Sequence, residues 1–301
     1  MNKVDKFYEI KNILQCPVCG KKIRFHAGGL VCKREHRFDI STKGYVNLLQ
    51  SSKPLKGYDL KFFESRRRFF EKGYYDHIAD AVVQCVLGQS LVDGDIMAGD
   101  FAAGNIATGD PAAGVRRNSG IVLDAGCGEG FYAQRLASCT DAQILAFDIA
   151  SDAIKVAARG DKPIKWMVAD ITNIPVKDNS IDCILDVFTP ANYGEFKRVL
   201  KDGGFVVKVI PGKNHMVQLR EIAAEALRRK EYSAGEDVQD YFAEHFEVVS
   251  QTAASRTMTI GQEDLADLAA MTPLLFDVDK ASLDLSSITE ITVEGQILVG
   301  R

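Results

Sequence analysis

Between residues 121 and 210, short apolar runs alternate with amphipathic stretches. The runs lie at 121–125 (IVLDA), 143–147 (QILAF), 164–168 (IKWMV), 183–188 (CILDVF) and 205–210 (FVVKVI). They are short and rich in β-branched side chains, as strands covered on both faces require. Residues 131–137, 151–159 and 193–200 carry apolar positions at helical spacing between most of them. The alternation predicts an α/β fold, a Rossmann-like doubly wound parallel sheet. Further on, the pattern predicts a helix over 214–230, a strand near Val248, a helix over 264–270 and a final strand, ITVEGQILVG, as an edge hairpin partner.

Upstream, Phe62, Phe63, Phe69, Phe70, Ile78, Val82, Val83 and Val86 recur at intervals near three and four, and Gly73 divides this stretch into two helices. Residues 93–120 are dominated by Gly, Ala and Asp and keep no period, which predicts a mobile surface insertion. Residues 51–57 (SSKPLKG) read as a polar hinge. Four segments result: a cysteine-bearing module over 1–50, a helical linker region over 51–92, the insertion over 93–120 and the α/β domain over 121–301.

At 301 residues, 46% hydrophobic and 26% charged, the chain is ordinary for a globular protein, which excludes collagen-like, wholly disordered and disulfide-scaffold classes. No apolar run approaches about 18 residues and the first segment lacks a signal-peptide pattern, so no membrane association and a cytoplasmic location are expected. Seven cysteines in a reducing compartment are metal ligands or buried thiols more readily than disulfides.

The net charge of −4 hides a division. Residues 1–77 hold 17 basic against 8 acidic side chains, +9, which leaves −13 on the rest. Such a basic arm suits a polyanionic partner, or merely solubilises a small module.

Cys16, Cys19, Cys32 and His36 stand as C-x2-C-x12-C-x3-H, with CPVCG and CKREH as two knuckles. Two closely spaced ligands at each of two turns are what tetrahedral zinc needs, and four protein ligands make the metal structural. A segment this short cannot bury enough apolar surface alone, so metal binding would supply its folding energy. Lys21, Lys22, Arg24, Lys33, Arg34 and Arg37 surround the knuckles.

The first strand of the α/β domain runs into Asp124-Ala-Gly126-Cys-Gly128-Glu129-Gly130. Its third glycine comes one place too early for the dinucleotide fingerprint, and the loop suits a ligand without a pyrophosphate, such as S-adenosylmethionine. Asp148 ends the second strand, where it would accept from ribose hydroxyls, and Asp170 ends the third, where it would accept from an adenine amino group.

VLDAGCGEGFYAQRL and AFDIASDAIKVAA resemble general class I methyltransferase motifs. CPVCG, HRFDISTKGYVNLL, FFESRRRFFEKGYY and PGKNHMVQL together resemble the bacterial 23S rRNA guanine-N1 methyltransferases. The resemblance runs from about Cys16 to Pro273, interrupted chiefly by the insertion. It implies a zinc-binding RNA-recognition module ahead of a methyltransferase domain, action on a loop guanine of a 23S rRNA hairpin, and a tendency to form homodimers. Carried over by motif, cofactor contacts fall on Tyr75, Gly128, Glu129 and His215.

Guanine N1 carries a proton that a base or a solvent path must remove. Asp186, at the end of the fourth strand, is the candidate base or an anchor for the guanine edge, with capping of Thr189-Pro190 or a contact to the cofactor as the alternatives; His215 is a second candidate. Arg66 and Arg67, in the triplet 66–68, are expected on phosphates together with Lys21, Lys22, Arg24, Arg34 and Arg37. Tyr45, Phe38, Phe62 and Phe63 read as core residues or base-stacking partners. Two rival functions stand beside this one: a zinc-containing methyltransferase of a small molecule, and a noncatalytic RNA-binding protein of ribosome assembly. The intact Gly loop argues against the second and the +9 arm against the first.

Overall fold

A computed structural model describes residues 5–49, 55–89, 120–160, 163–224, 236–276 and 278–301. The insertion predicted over 93–120, apart from Gly120, and the part of the helix predicted beyond residue 224 lie outside the described residues.

The chain begins with an antiparallel meander of β1 (Ile23–His26), β2 (Gly29–Cys32) and β3 (Arg37–Asp39), followed by β4 (Tyr45–Asn47). Two helices follow, α1 (Leu60–Glu71) and α2 (Asp76–Gln89), with Gly73 between them at φ +85°. Asp59 caps α1 by accepting from the Phe62 amide at 2.9 Å. The α/β region runs β5 (Ile121–Ala125), α3 (Phe131–Cys139), β6 (Gln143–Asp148), α4 (Ser151–Ala157), β7 (Lys165–Val168), β8 (Ile181–Val187), α5 (Tyr193–Val199) and β9 (Leu200–Pro211). It closes with α6 (Val217–Ala223), α7 (Glu236–Ala243), β10 (Val248–Thr259), α8 (Gln262–Met271) and β11 (Glu290–Gly300).

The sheet has the order β10-β11-β9-β8-β5-β6-β7-β4. Pairing is parallel from β4 to β9, whereas β11 lies antiparallel between β9 and β10. The order reverses between β5 and β8, so a crevice opens at the carboxyl ends of the central strands there. The final strand is therefore not an edge, contrary to the sequence expectation. Its run Ile297-Leu298-Val299 sends side chains into both cores, and burial on both faces requires neighbours on both sides. The polar, largely exposed β10 takes the edge instead.

One face of the sheet is covered by α1, α2, α3, α4 and α8, the other by α5, α7 and the N-terminal module. No helix follows β7 in 169–180, where a doubly wound sheet would place one. Phe7, Ile10 and Leu14 fill that layer against Ile174 and Val176. Backbone bonds from Gln15 N to Pro175 O (3.0 Å) and Lys177 N to Ile13 O (2.8 Å) fix the seam. Tyr45–Asn47 then pairs with 166–168 as the outermost parallel strand. A boundary at residue 50 thus cuts through one continuous core. Among the described residues, no helix is long and apolar enough to cross a membrane.

Candidate functional site

Cys16 Sγ and Cys32 Sγ each lie 3.4 Å from His36 Nδ1, and Cys19 Sγ lies 3.7 Å from Cys32 Sγ. All four ligand atoms fall within 4.8 Å of one another. Tetrahedral zinc with bonds of about 2.3 Å to sulfur and about 2.0 Å to nitrogen has ligand-to-ligand edges of roughly 3.5–3.8 Å, so the donor set fits a structural zinc ion. The site lies beside the carboxyl ends of the strands: Asn173, three residues beyond Asp170, donates from its side chain to the Pro17 carbonyl at 2.9 Å, inside the first knuckle. His26 is exposed and outside the cluster.

The loop after β5 turns through three left-handed glycines. A Cβ on Gly126 would collide with the Thr189 side chain and one on Gly130 with the Trp166 ring, so both serve close packing. Gly128 faces open space, with Arg66 Nε, 3.9 Å away, as the nearest group. This is where a ligand can approach the backbone. Asp148 holds the loop from β6: its Oδ2 accepts from Gly128 N at 3.0 Å and its Oδ1 from Ala150 N at 2.8 Å. Asp170 is half-buried, and its Oδ1 accepts from the Thr172 amide and hydroxyl at 2.8 and 2.7 Å.

Behind the loop, Asp124 is buried and its Oδ2 has no hydrogen-bond partner. Burial, then the Asp148 carboxylate, push its acid up to about 8, and Glu129 adds to the effect. Glu129 is also buried and also raised by burial, with Arg66 opposing. The Tyr132 hydroxyl and Trp166 Nε1 are likewise buried without a hydrogen-bond partner, as are Arg66 Nε and Glu129 Oε2, which meet as an ion pair. A pocket of three buried acids whose proton affinity burial raises, answered by one guanidinium, is short of positive charge, and that suits the sulfonium and ammonium of S-adenosylmethionine.

Tyr75, Phe188 and His215 form the adjoining wall. Tyr75 Oη lies 3.4 Å from His215 Nε2, and the Phe188 ring stacks on His215 at 5.6 Å and 28°. His215 Nδ1 accepts from the Glu294 amide at 3.1 Å, so the neutral ring carries its proton on Nε2 and presents a donor to the pocket. Burial pushes its pKa down to about 4, which keeps it neutral. Phe188 adopts φ +54°, an uncommon conformation for a bulky residue, at the carboxyl end of β8. Sequence pattern does not single out Phe188, because a strain at the end of an apolar run has no compositional mark. Glu294 was equally hidden inside the last strand; it is buried and accepts from Asn214 Nδ2 at 2.9 Å, anchoring the PGKNH loop.

Three expectations need correction. Asp186 is fully buried and paired with Lys208 at 2.8 Å, beneath Thr189 and not open to the crevice, so it is not placed as a base. His215 cannot take the N1 proton through Nε2, since its free lone pair is the one already engaged at Nδ1. Arg66 turns inward to Glu129 (2.9 Å), and Arg67 bonds Glu71 at 2.7 Å and the Val156 carbonyl at 3.3 Å, so neither stands out as a phosphate ligand. Of the predicted basic set, Lys21, Lys22, Arg24, Arg34 and Arg37 are exposed on the zinc module. Arg24 and Arg37 form surface pairs with Glu35 and Asp39, which hold them weakly. Phe38, Phe62 and Phe63 are core residues, and Tyr45 is partly buried against the core.

Residues 14–53 match the zinc-ribbon family described as "RlmA, N-terminal", and residues 122–204 match a methyltransferase domain family. The chain is 30% identical to YxjB of Bacillus subtilis, which bears the provisional designation 23S rRNA (guanine-N(1)-)-methyltransferase, over 96% of this chain and 97% of that protein. It is 28% identical to the 23S rRNA (guanine(748)-N(1))-methyltransferase of Streptomyces fradiae over 96% of each chain. The zinc ribbon, the Gly loop and an end-to-end likeness of this extent establish that the chain belongs to the 23S rRNA (guanine-N1)-methyltransferase family.

Proposed function

We propose that this chain transfers the methyl group of S-adenosylmethionine to N1 of a guanine in a hairpin loop of 23S rRNA. The observation that carries this reading is the seam between the Asn173 side chain and the Pro17 carbonyl, which sets the basic zinc module beside the mouth of the strand-end crevice. A small metabolite would need no such surface; an RNA hairpin has phosphates for Lys21, Lys22, Arg24, Arg34 and Arg37 while one unstacked base enters the crevice.

When bound, S-adenosylmethionine supplies a methyl group on a positively charged sulfur. The chain's own residues hold and orient. Asp148 and Asp170 offer their remaining lone pairs to ribose hydroxyls and to an adenine amino group, and Asp124 and the Gly128 backbone form the floor. The Nε2 proton of neutral His215 is a donor for a carbonyl oxygen of the kind guanine presents at O6, where charge grows as N1 loses its proton. Phe188 and Tyr75 give flat apolar walls for the base. With Asp186 sealed and His215 protonated on the pocket side, the N1 proton leaves to water. Alignment of nucleophile and methyl is then the main source of rate. The reading includes a homodimer, which sedimentation of a monomer at assay concentration would remove.

Comparison of 23S rRNA from cells with and without the protein tests the reading. Loss of one N1-methylguanine in the deletion strain, restored by the gene, is expected; an unchanged modification pattern would refute it.

A further inference from the structure

Arg66 belongs to α1, outside the general class I methyltransferase motifs, yet its guanidinium reaches the Gly loop. Two contacts set its position, and a third observation says where it lies. Nε faces Glu129 Oε2 at 2.9 Å, Cζ lies 4.8 Å from the centre of the Phe70 ring, and Nε sits beside the open face of Gly128. The side chain is 21% exposed while Nε itself is buried, so the accessible part is the forked outer end. Among the described residues, the two terminal amino groups make no hydrogen bond. An arginine held by its Nε with its fork unfilled is a planar, two-pronged receptor for a carboxylate.

The geometry points to Arg66 as the receptor for the carboxylate of the amino-acid tail of S-adenosylmethionine. This rests on the reading of the crevice as the site for that cofactor. The surroundings favour a carboxylate over an RNA phosphate. The guanidinium lies beside the open face of the Gly loop with Glu129 and Asp148 as its acidic neighbours, where a zwitterionic tail brings an ammonium for the acids together with its carboxylate for the arginine. A phosphodiester would add negative charge there with no cation of its own. The pocket therefore distinguishes cofactors by their tails, and Arg66 links that choice to α1, whose neighbouring Arg67 and Arg68 tie the helix to α4 and α8 through Val156 and Asp267.

The test is calorimetric titration of the full-length, zinc-loaded protein with S-adenosylmethionine and with decarboxylated S-adenosylmethionine, which lacks the carboxylate alone. The wild type should prefer S-adenosylmethionine by about 10- to 100-fold, the range of a charge-assisted pair. Arg66→Gln should lose that preference while its affinity for the decarboxylated analogue stays within about 2-fold of wild type. Because Arg66→Gln strips Glu129 of its partner, Arg66→Gln with Glu129→Gln is titrated in parallel and should show the same loss in a neutral pocket. Equal wild-type affinity for the two compounds, or an equal fall for both in the variants, would overturn the assignment. So would unchanged selectivity together with a flatter salt dependence of hairpin RNA binding, which would move Arg66 to a phosphate. A wild type that binds neither compound would refute the cofactor reading itself, and the assignment with it.

Discussion

Lys208 Nζ lies 2.8 Å from Asp186 Oδ2 and donates to the Thr189 carbonyl at 2.7 Å, with both charged side chains sealed from water. This joins β9 to β8 and pins the turn in which Phe188 takes its left-handed backbone. Burial pushes Asp186 up to about 6 even with Lys208 pulling the other way. Lys208→Met would leave a buried carboxyl without its partner and should cost about 3–5 kcal/mol in urea unfolding. Asp186→Asn should lower stability and slow methylation without changing the shape of the pH–rate profile. A profile that loses its acid limb in Asp186→Asn would reinstate Asp186 as the base.

His215 makes stability depend on pH in a defined direction. Its folded pKa, about 4, lies below the ordinary value near 6.5, so the folded protein takes up this proton later than the unfolded chain. The contribution is complete above about pH 6.5 and is lost as pH falls toward 4, on the order of 2–3 kcal/mol across that window. His215→Asn should remove that portion of the acid destabilisation. Parallel unfolding curves for wild type and variant at pH 7 and pH 5 check it, and an unchanged difference between the two pH values would contradict it.

Zinc removal should reach the large sheet as well as the module. The chain carrying the ligands continues into β4 and covers β7 with Phe7, Ile10 and Leu14. Cys19→Ser should therefore lose its one zinc per chain and expose the amides of Tyr45–Asn47 and Lys165–Val168 to hydrogen exchange, while β5 and β8 stay protected. Metal analysis finding no zinc in the native protein would defeat this.

RNA binding should answer to the zinc module and not to the arginine triplet. Replacing Lys21, Lys22 and Arg34 together should flatten the slope of log affinity against log salt by about 0.7–0.9 for each phosphate no longer neutralised. Arg67→Ala should leave the slope unchanged, since that side chain is committed to Glu71 and Val156. The reverse outcome would return the phosphate track to α1.

The parallel strands, the split helix at Gly73 and the four zinc ligands were legible in the sequence because each depends on local spacing. The strand that closes the sheet was misplaced for a reason visible afterwards: Ile297-Leu298-Val299 is a run buried on both faces, while β10, with Ser250, Gln251, Thr252 and Ser255, has the polarity of an edge. The fusion of the zinc module with the sheet was not legible, since the missing helix after β7 leaves no mark at Leu14 or Tyr45. In the site, the glycines and strand-end acids announced themselves. The direction of a side chain did not: Arg66, Arg67 and Arg68 read alike, and their partners in the fold, Glu129 for the first, Glu71 and Val156 for the second and Asp267 for the third, send one inward and two along the surface.

The central claim is the position of the methyl group. Purified protein, S-adenosylmethionine and unmodified 23S rRNA should yield a single N1-methylguanine, seen as one new stop in reverse transcription, because N1 substitution blocks the pairing edge, and as one methylated guanosine by mass spectrometry of the digest. Methylation at any other guanine atom, or none on rRNA under conditions where the protein binds the cofactor, would contradict the account.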